Sequence, residues 1–160
     1  MTETSPDTVV RPATVADVET LVTFNRAMAE ESEDKGLHEA TLRQGVRHLL
    51  AHPDEGFYLV AERGDELAGC LMVTFEWSDW RNGRFWWIQS VFVHPRQRRC
   101  GVYRALHHAV RERARSDARA CGLRLYVERE NTGAMATYRA MGMSETHYRL
   151  FEEEFSAPGA

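Results

Sequence analysis

Residues His94 to Leu106, "HPRQRRCGVYRAL", crowd Arg96, Arg98 and Arg99 ahead of a single glycine, Gly101. They lie between an apolar run and a regular helical stripe. The first backbone N–H groups of a helix have no partner within it, and the helix dipole adds positive potential there. A glycine lets an anion approach the main chain closely, and neighbouring arginines add charge-assisted, bidentate donors. The chemistry on offer is a seat for phosphate or diphosphate. A solvated, arginine-rich helix start is the competing reading. It accounts for Arg111, Arg113, Arg115 and Arg119, but not for the three arginines that precede the helix.

Composition sharpens the choice. The 160-residue chain is 43% hydrophobic and 28% charged, which suits one globular domain spanning residues 1–160. Its net charge is −4, yet from Arg96 to Arg119 eight arginines face only Glu112 and Asp117. An acidic protein with one basic stretch argues for a small anionic ligand there and against general nucleic-acid binding. No GxxxxGK[ST] or GxGxxG occurs, which disfavours an NTPase and a dinucleotide fold. Cys70, Cys100 and Cys121 form no CxxC pair, and the seven histidines show no ligand spacing, so no metal is expected. "MTETSPDTVV" lacks the pattern of a signal peptide, and no apolar run would span a membrane. A cytoplasmic protein is the expectation.

The elements that must position these residues follow from periodicity. Val9 and Val10 suit a first strand. Thr14 and Asp17 make a capping box ahead of Val18, Leu21, Val22 and Met28 at helical spacing. "EESEDKG", Glu30 to Gly36, is expected to form an acidic loop, and a second helix through Leu42, Val46, Leu49 and Leu50 should stop before Pro53. "FYLVAER", "GDE" and "LAGCLMVTFEW" predict an antiparallel hairpin, and "RNG" at Arg81–Gly83 a tight turn into "RFWWIQSVFV". Val102, Ala105, Leu106, Ala109 and Val110 mark the strongest helix, expected to end at Cys121–Gly122. "LRLYV" follows as a strand with Leu123, Leu125 and Val127 on one face. "ENTGAMATYRAMG" is a short helix closed by Gly142, with Asn131 or Thr132 near its cap, and "HYRLFEEEF" a last strand. The order β-α-α-β-β-β-α-β-α-β describes an α/β layered domain.

"QSVFVHPRQRRCGVYRAL" followed by "YVERENTGAMATYRAMGM" resembles the GNAT superfamily of acetyl-CoA-dependent N-acetyltransferases. The resemblance implies a mixed, mostly antiparallel sheet splayed near its middle and flanked by about four helices. The family motif [RQ]-x-x-G-x-[GA] falls on Arg98, Arg99, Cys100, Gly101, Val102 and Tyr103. Tyr103 replaces the final small residue, so its ring either narrows the pocket or turns aside. By this resemblance, backbone N–H groups from Arg99 to Arg104 would hold the coenzyme A diphosphate. Val91, Phe92 and Val93 would pair with the pantetheine arm as with an added strand. Asn131 would hydrogen-bond the pantetheine amides, and Tyr138 would face the sulfur. A phenol keeps its proton at neutral pH and can give it to a departing thiolate, so Tyr138 is the candidate general acid. A core role is the alternative, since Ala134, Tyr138 and Met141 share a helix face.

The implied reaction is direct acetyl transfer to a primary amine in a ternary complex. The amine must first lose a proton. Spermidine/spermine-type acetyltransferases, which the chain also resembles, use a glutamate on the central strand, but here Gln89 occupies that position. Glu30, Glu31, Glu76 and Asp79 remain as candidate bases, each also explicable as a solvated carboxylate. Four tryptophans in "FEWSDW" and "RFWW" offer an aromatic wall for a cation or, alternatively, sheet core and a subunit interface. A small or cationic amine is favoured; polyamine, amino acid, antibiotic amine and protein N-terminus all stay open. The resemblance admits a homodimer, and Gln89 supports the alternative of a non-catalytic acyl-CoA-binding or sensing domain.

Overall fold

The computed structural model describes residues 7–33 and 36–155. Backbone contacts divide the chain into two compact units, the first ending at Leu125 and the second beginning at Tyr126. The first holds β1 (Thr8–Pro12), α1 (Val18–Glu33), α2 (Glu39–Ala51), β2 (Gly56–Arg63), β3 (Glu66–Ser78), β4 (Gly83–Val93), α3 (Val102–Arg115) and β5 (Ala120–Arg124). The second holds α4 (Thr132–Ala140). The five strands form one sheet in the order β1-β2-β3-β4-β5. Neighbours are antiparallel except β4 and β5, which run parallel. This is the expected mixed, mostly antiparallel sheet.

The splay has a defined position. β4 pairs with β5 only from Arg84↔Ala120 to Trp87↔Arg124, so β4 continues from Ile88 to Val93 without that neighbour. Strand alternation sorts side chains onto two faces. Leu59, Leu71, Val73, Trp86 and Ile88 pack with the α3 stripe of Val102, Leu106 and Val110. Tyr58, Val60, Cys70 and Phe92 pack with Leu21 and Val22 of α1 and Val46 and Leu49 of α2. Each fully buried aliphatic side chain contributes roughly 1.5–3 kcal/mol, which makes the α3 stripe the firmest attachment of that helix. At the chain's entry, Asp17 accepts the Thr14 N–H at 2.7 Å and Arg11 Nη1 at 2.8 Å, so the expected capping box also ties down β1.

Several boundaries differ from expectation. The acidic stretch is not all loop: Glu30 to Glu33 continue α1, because no glycine or proline interrupts the helix before Gly36. Asp34 and Lys35 lie outside the described residues. The "RNG" turn is longer than a two-residue hairpin; Asp79–Arg81 form a 3-10 turn and Asn82 alone takes positive φ, 48°. α3 stops at Arg115 rather than at Cys121–Gly122. Asp117 catches the Arg119 N–H at 2.9 Å and Arg84 at 3.2 Å, turning the chain early into β5. Gly122 then serves close approach, since a Cβ there would stand 2.9 Å from the Phe85 ring. β5 ends at Arg124, its last residue paired with β4, opposite Trp87. Residues 147–155 form no strand, having no ladder partner within their own unit.

Candidate active site

The site begins with an irregularity in β4. Cys70 pairs with Phe92 and Met72 with Gln89, so Leu71 opposes both Ser90 and Val91. Ser90 absorbs the extra residue at φ 50°. A bulge of this kind shifts side-chain alternation by one, which is why Ile88 and Phe92, four residues apart, face opposite clusters. Beyond it, the His94 N–H donates to the Ala68 carbonyl at 2.8 Å. The antiparallel alternation turns the N–H and C=O of Val91, and of Val93 two residues later, toward the edge that β5 has left, where the Val93 carbonyl accepts Arg98 Nε. An extended, amide-bearing ligand can add there as a strand.

The turn after β4 is held by named contacts. His94 Nδ1 accepts the Arg96 N–H at 3.2 Å, and buried Arg63 donates to Gln97 Oε1 at 2.8 Å. Arg98 donates from Nε to the Val93 carbonyl at 3.0 Å and from Nη2 to Glu31 at 2.7 Å. Exposed Cys100 points its thiol at the Arg98 carbonyl, 3.5 Å away. Arg99 and Gly101 both take left-handed conformations, φ 62° and 77°, and swing the chain into α3. Gly101 is the helix N-cap without any side-chain cap, and the first helical bond runs from the Ala105 N–H to its carbonyl at 3.0 Å. The amides of Val102, Tyr103 and Arg104 therefore have no acceptor within the helix. A Cβ on Gly101 would meet nothing within 4 Å, so the approach to these amides is open. Charge, open approach and orphan donors fit a diphosphate.

Tyr103 turns aside. Its hydroxyl lies 2.9 Å from His107 Nδ1 and its ring packs edge-on against the imidazole. His107 is fully buried, and burial next to Arg111 pushes its pKa down to about 4. Arg111 Nη2 sits 3.2 Å from His107 Nε2.

Asn131 and Tyr138 belong to the second unit. Asn131 is the N-cap of α4, its Oδ1 accepting the Ala134 N–H at 3.2 Å, which leaves its Nδ2 as donor. Tyr138 lies in the last turn of α4, and burial raises its phenol pKa above the ordinary value. Among the candidate bases, Glu31 pairs with Arg98, Glu76 with Arg124, and Asp79 accepts the Trp80 N–H at 2.9 Å; Glu30 is exposed on α1. Gln89 donates to Thr74 Oγ1 across the strands. Trp86 is core, 6% exposed, whereas Trp80 is 87% exposed. Ser90 and His107 escaped the reading by motif. Only His107 carried a signal, four residues beyond Tyr103 on one helix face. Among the described residues, no group of three or more His, Cys, Asp or Glu could hold a metal ion, and no helix is long and apolar enough to cross a membrane.

A splayed sheet whose bulged strand runs into an uncapped helix N-terminus defines a class, the acyl-CoA-dependent transferase fold, and comparison with known proteins agrees. The model of the acetyltransferase (GNAT) family matches residues 20–143. The chain belongs to the GNAT acetyltransferase family, and acetyl transfer is its class of reaction. It is 39% identical to a possible acetyltransferase from Clostridium difficile 630, over 94% of this chain and 99% of that one, with a TM-score of 0.86. The fold is also shared with a predicted acetyltransferase from Clostridium acetobutylicum solved with acetyl-CoA, at 17% identity, 92% and 96% coverage and TM-score 0.76. Glucosamine-6-phosphate N-acetyltransferase from Arabidopsis thaliana shares it at 16% identity, 92% and 98% coverage and TM-score 0.71. A comparison with curated proteins gives no significant match.

Proposed function

We propose that this protein transfers the acetyl group of acetyl-CoA to a small or cationic primary amine by direct attack in a ternary complex. The observation that carries the reading is the continuity of the open Val91–Val93 edge with the uncapped amides of α3, separated by one anchored turn. An edge for amides followed by a seat for diphosphate matches the order of groups along coenzyme A. The acetyl-CoA named for the Clostridium acetobutylicum neighbour supports it.

Bound acetyl-CoA would supply an acetyl thioester. Val91 and Val93 bind the pantetheine arm from the open edge. Phe92, expected from the sequence to share that pairing, turns its backbone to Cys70 of β3 and its ring to Phe24 of α1, and so only holds the strand between them. The amides from Arg99 to Arg104, including Cys100, Gly101, Val102 and Tyr103, donate to the diphosphate. Arg98 holds the turn that presents them. Asn131 Nδ2 donates to a pantetheine carbonyl. A β4 backbone N–H polarises the carbonyl under attack. As the C–N bond forms and the C–S bond breaks, Tyr138 gives its proton to the sulfur, and water takes the proton lost by the amine. The raised phenol pKa supports Tyr138 as acid, because it holds its proton throughout the neutral range. With Glu31 and Glu76 paired, Asp79 capping a turn and Glu30 exposed on α1, water is the base we assign. Three free cysteines support a reducing, cytoplasmic setting.

Mixing the protein with acetyl-CoA and an amine panel while following free thiol tests the reading. Acetyl-CoA-dependent thiol release with at least one amine is expected. Tight coenzyme A binding without thiol release for any acceptor would favour the sensing domain, which the engaged amide of Gln89 supports.

A further inference from the structure

Tyr103 poses a steric problem that the helix itself solves. It is the second residue of α3, beside the three orphan amides. Long side chains on a helix lean toward its N-terminus, so a loose ring at this position would swing over the turn at residues 98–101. Instead the ring is held on His107, and the space beside Gly101 is clear.

The holding contact has a fixed polarity. Arginine can only donate, so the Arg111–His107 contact makes His107 Nε2 an acceptor. The neutral imidazole then carries its proton on Nδ1 and donates it to the Tyr103 oxygen. Full burial and the neighbouring guanidinium both disfavour the imidazolium. We infer that His107, oriented by Arg111, is a positioning residue that parks the Tyr103 ring away from the α3 N-terminus and so keeps the diphosphate seat open. This inference rests on the proposed binding of acetyl-CoA there.

A double-mutant cycle read by calorimetric coenzyme A affinity tests it. His107→Leu should weaken binding about tenfold when Tyr103 is present, because the open conformer loses population when one hydrogen bond is removed. In the Tyr103→Ala background there is no ring to park, and the same change should alter affinity less than about twofold. Equal penalties in both backgrounds would mean that His107 is merely core, and would overturn the inference. Should His107→Leu not fold, Tyr103→Phe breaks the bond from its outer end and should weaken binding about fivefold; wild-type affinity for that variant would also overturn it. Nitrogen NMR of His107 should show the Nδ1-protonated tautomer, and an Nε2-protonated ring would refute the relay. If the wild-type protein took up no coenzyme A at all, the proposed function itself would fail, whatever the tautomer.

Discussion

Arg98 donates to the carbonyl of Val93, 3.0 Å away, so the side chain that opens the turn into α3 is fastened to the strand that ends in it. Its other end reaches Glu31 on α1, across an exposed ion pair. The pair alone is worth little in water, at most about 1 kcal/mol. The bond to Val93 matters more, because it fixes where the Gly101 turn sits relative to the open edge. Replacing Arg98 with alanine should raise the acetyl-CoA KM about tenfold while kcat stays within about threefold. Steady-state kinetics at saturating amine would check this, and an unchanged KM would remove Arg98 from the turn's support. Glu31→Gln should shift KM less than about threefold.

Two glycines separate backbone strain from ligand approach. Gly101 and Gly64 both have positive φ, 77° and 62°, and a Cβ on either would meet nothing within 4 Å. Alanine at each should therefore cost about 1 kcal/mol of stability through the left-handed conformation alone. Only Gly101→Ala should also weaken coenzyme A binding, by more than about tenfold, since only there would the methyl stand where a diphosphate nears the amides. Urea unfolding and calorimetry on both variants would check the pair. Equal affinities would place the anion elsewhere.

His107 sets a pH window for stability. Its folded pKa of about 4 lies below the ordinary 6.5, so between these values the unfolded chain binds a proton that the folded protein refuses. Stability from this group is complete above about 6.5 and should fall by about 1 kcal/mol per pH unit down to about 4. Asp17, whose carboxyl is held below its ordinary 3.8 by Arg11, acts only at still lower pH. Urea midpoints at pH 7, 6 and 5 should decline for the wild type and hold flatter for His107→Gln. Parallel curves would assign the slope to other groups.

Much of this was legible in the residues. The α3 stripe, the β2–β3 hairpin, the Thr14–Asp17 cap and the glycine turn into α3 are local signals, each written within one or two helical turns or one strand pair. The bulge at Ser90 was not, because serine has no special preference for positive φ and the misregister exists only against Leu71. Nor was the early end of α3, which depends on Asp117 meeting Arg84, 33 residues away. Tyr103 left two outcomes open until His107 was seen one turn along, buried and already oriented by Arg111. Residues 147–155 alternate like a strand, but a strand exists only where another offers a ladder.

Tyr138 gives the sharpest test of the chemistry. Burial raises its pKa, so the phenol remains protonated through and above the neutral range, where a thiolate leaving group most needs a proton. Phenylalanine keeps the ring and its packing but has no proton to give. Tyr138→Phe should lower kcat by about a hundredfold, within the span of general acid catalysis, and leave the coenzyme A dissociation constant within about twofold. The wild-type kcat should show no alkaline fall below pH 10, the ordinary tyrosine value, because ionisation of the acid is displaced upward. Acetyl donors with more acidic leaving thiols should recover part of the lost rate in the variant, since they depart unprotonated more readily. A variant with wild-type kcat toward both kinds of donor would return Tyr138 to the core role that Ala134 and Met141, on the same helix face, offer it.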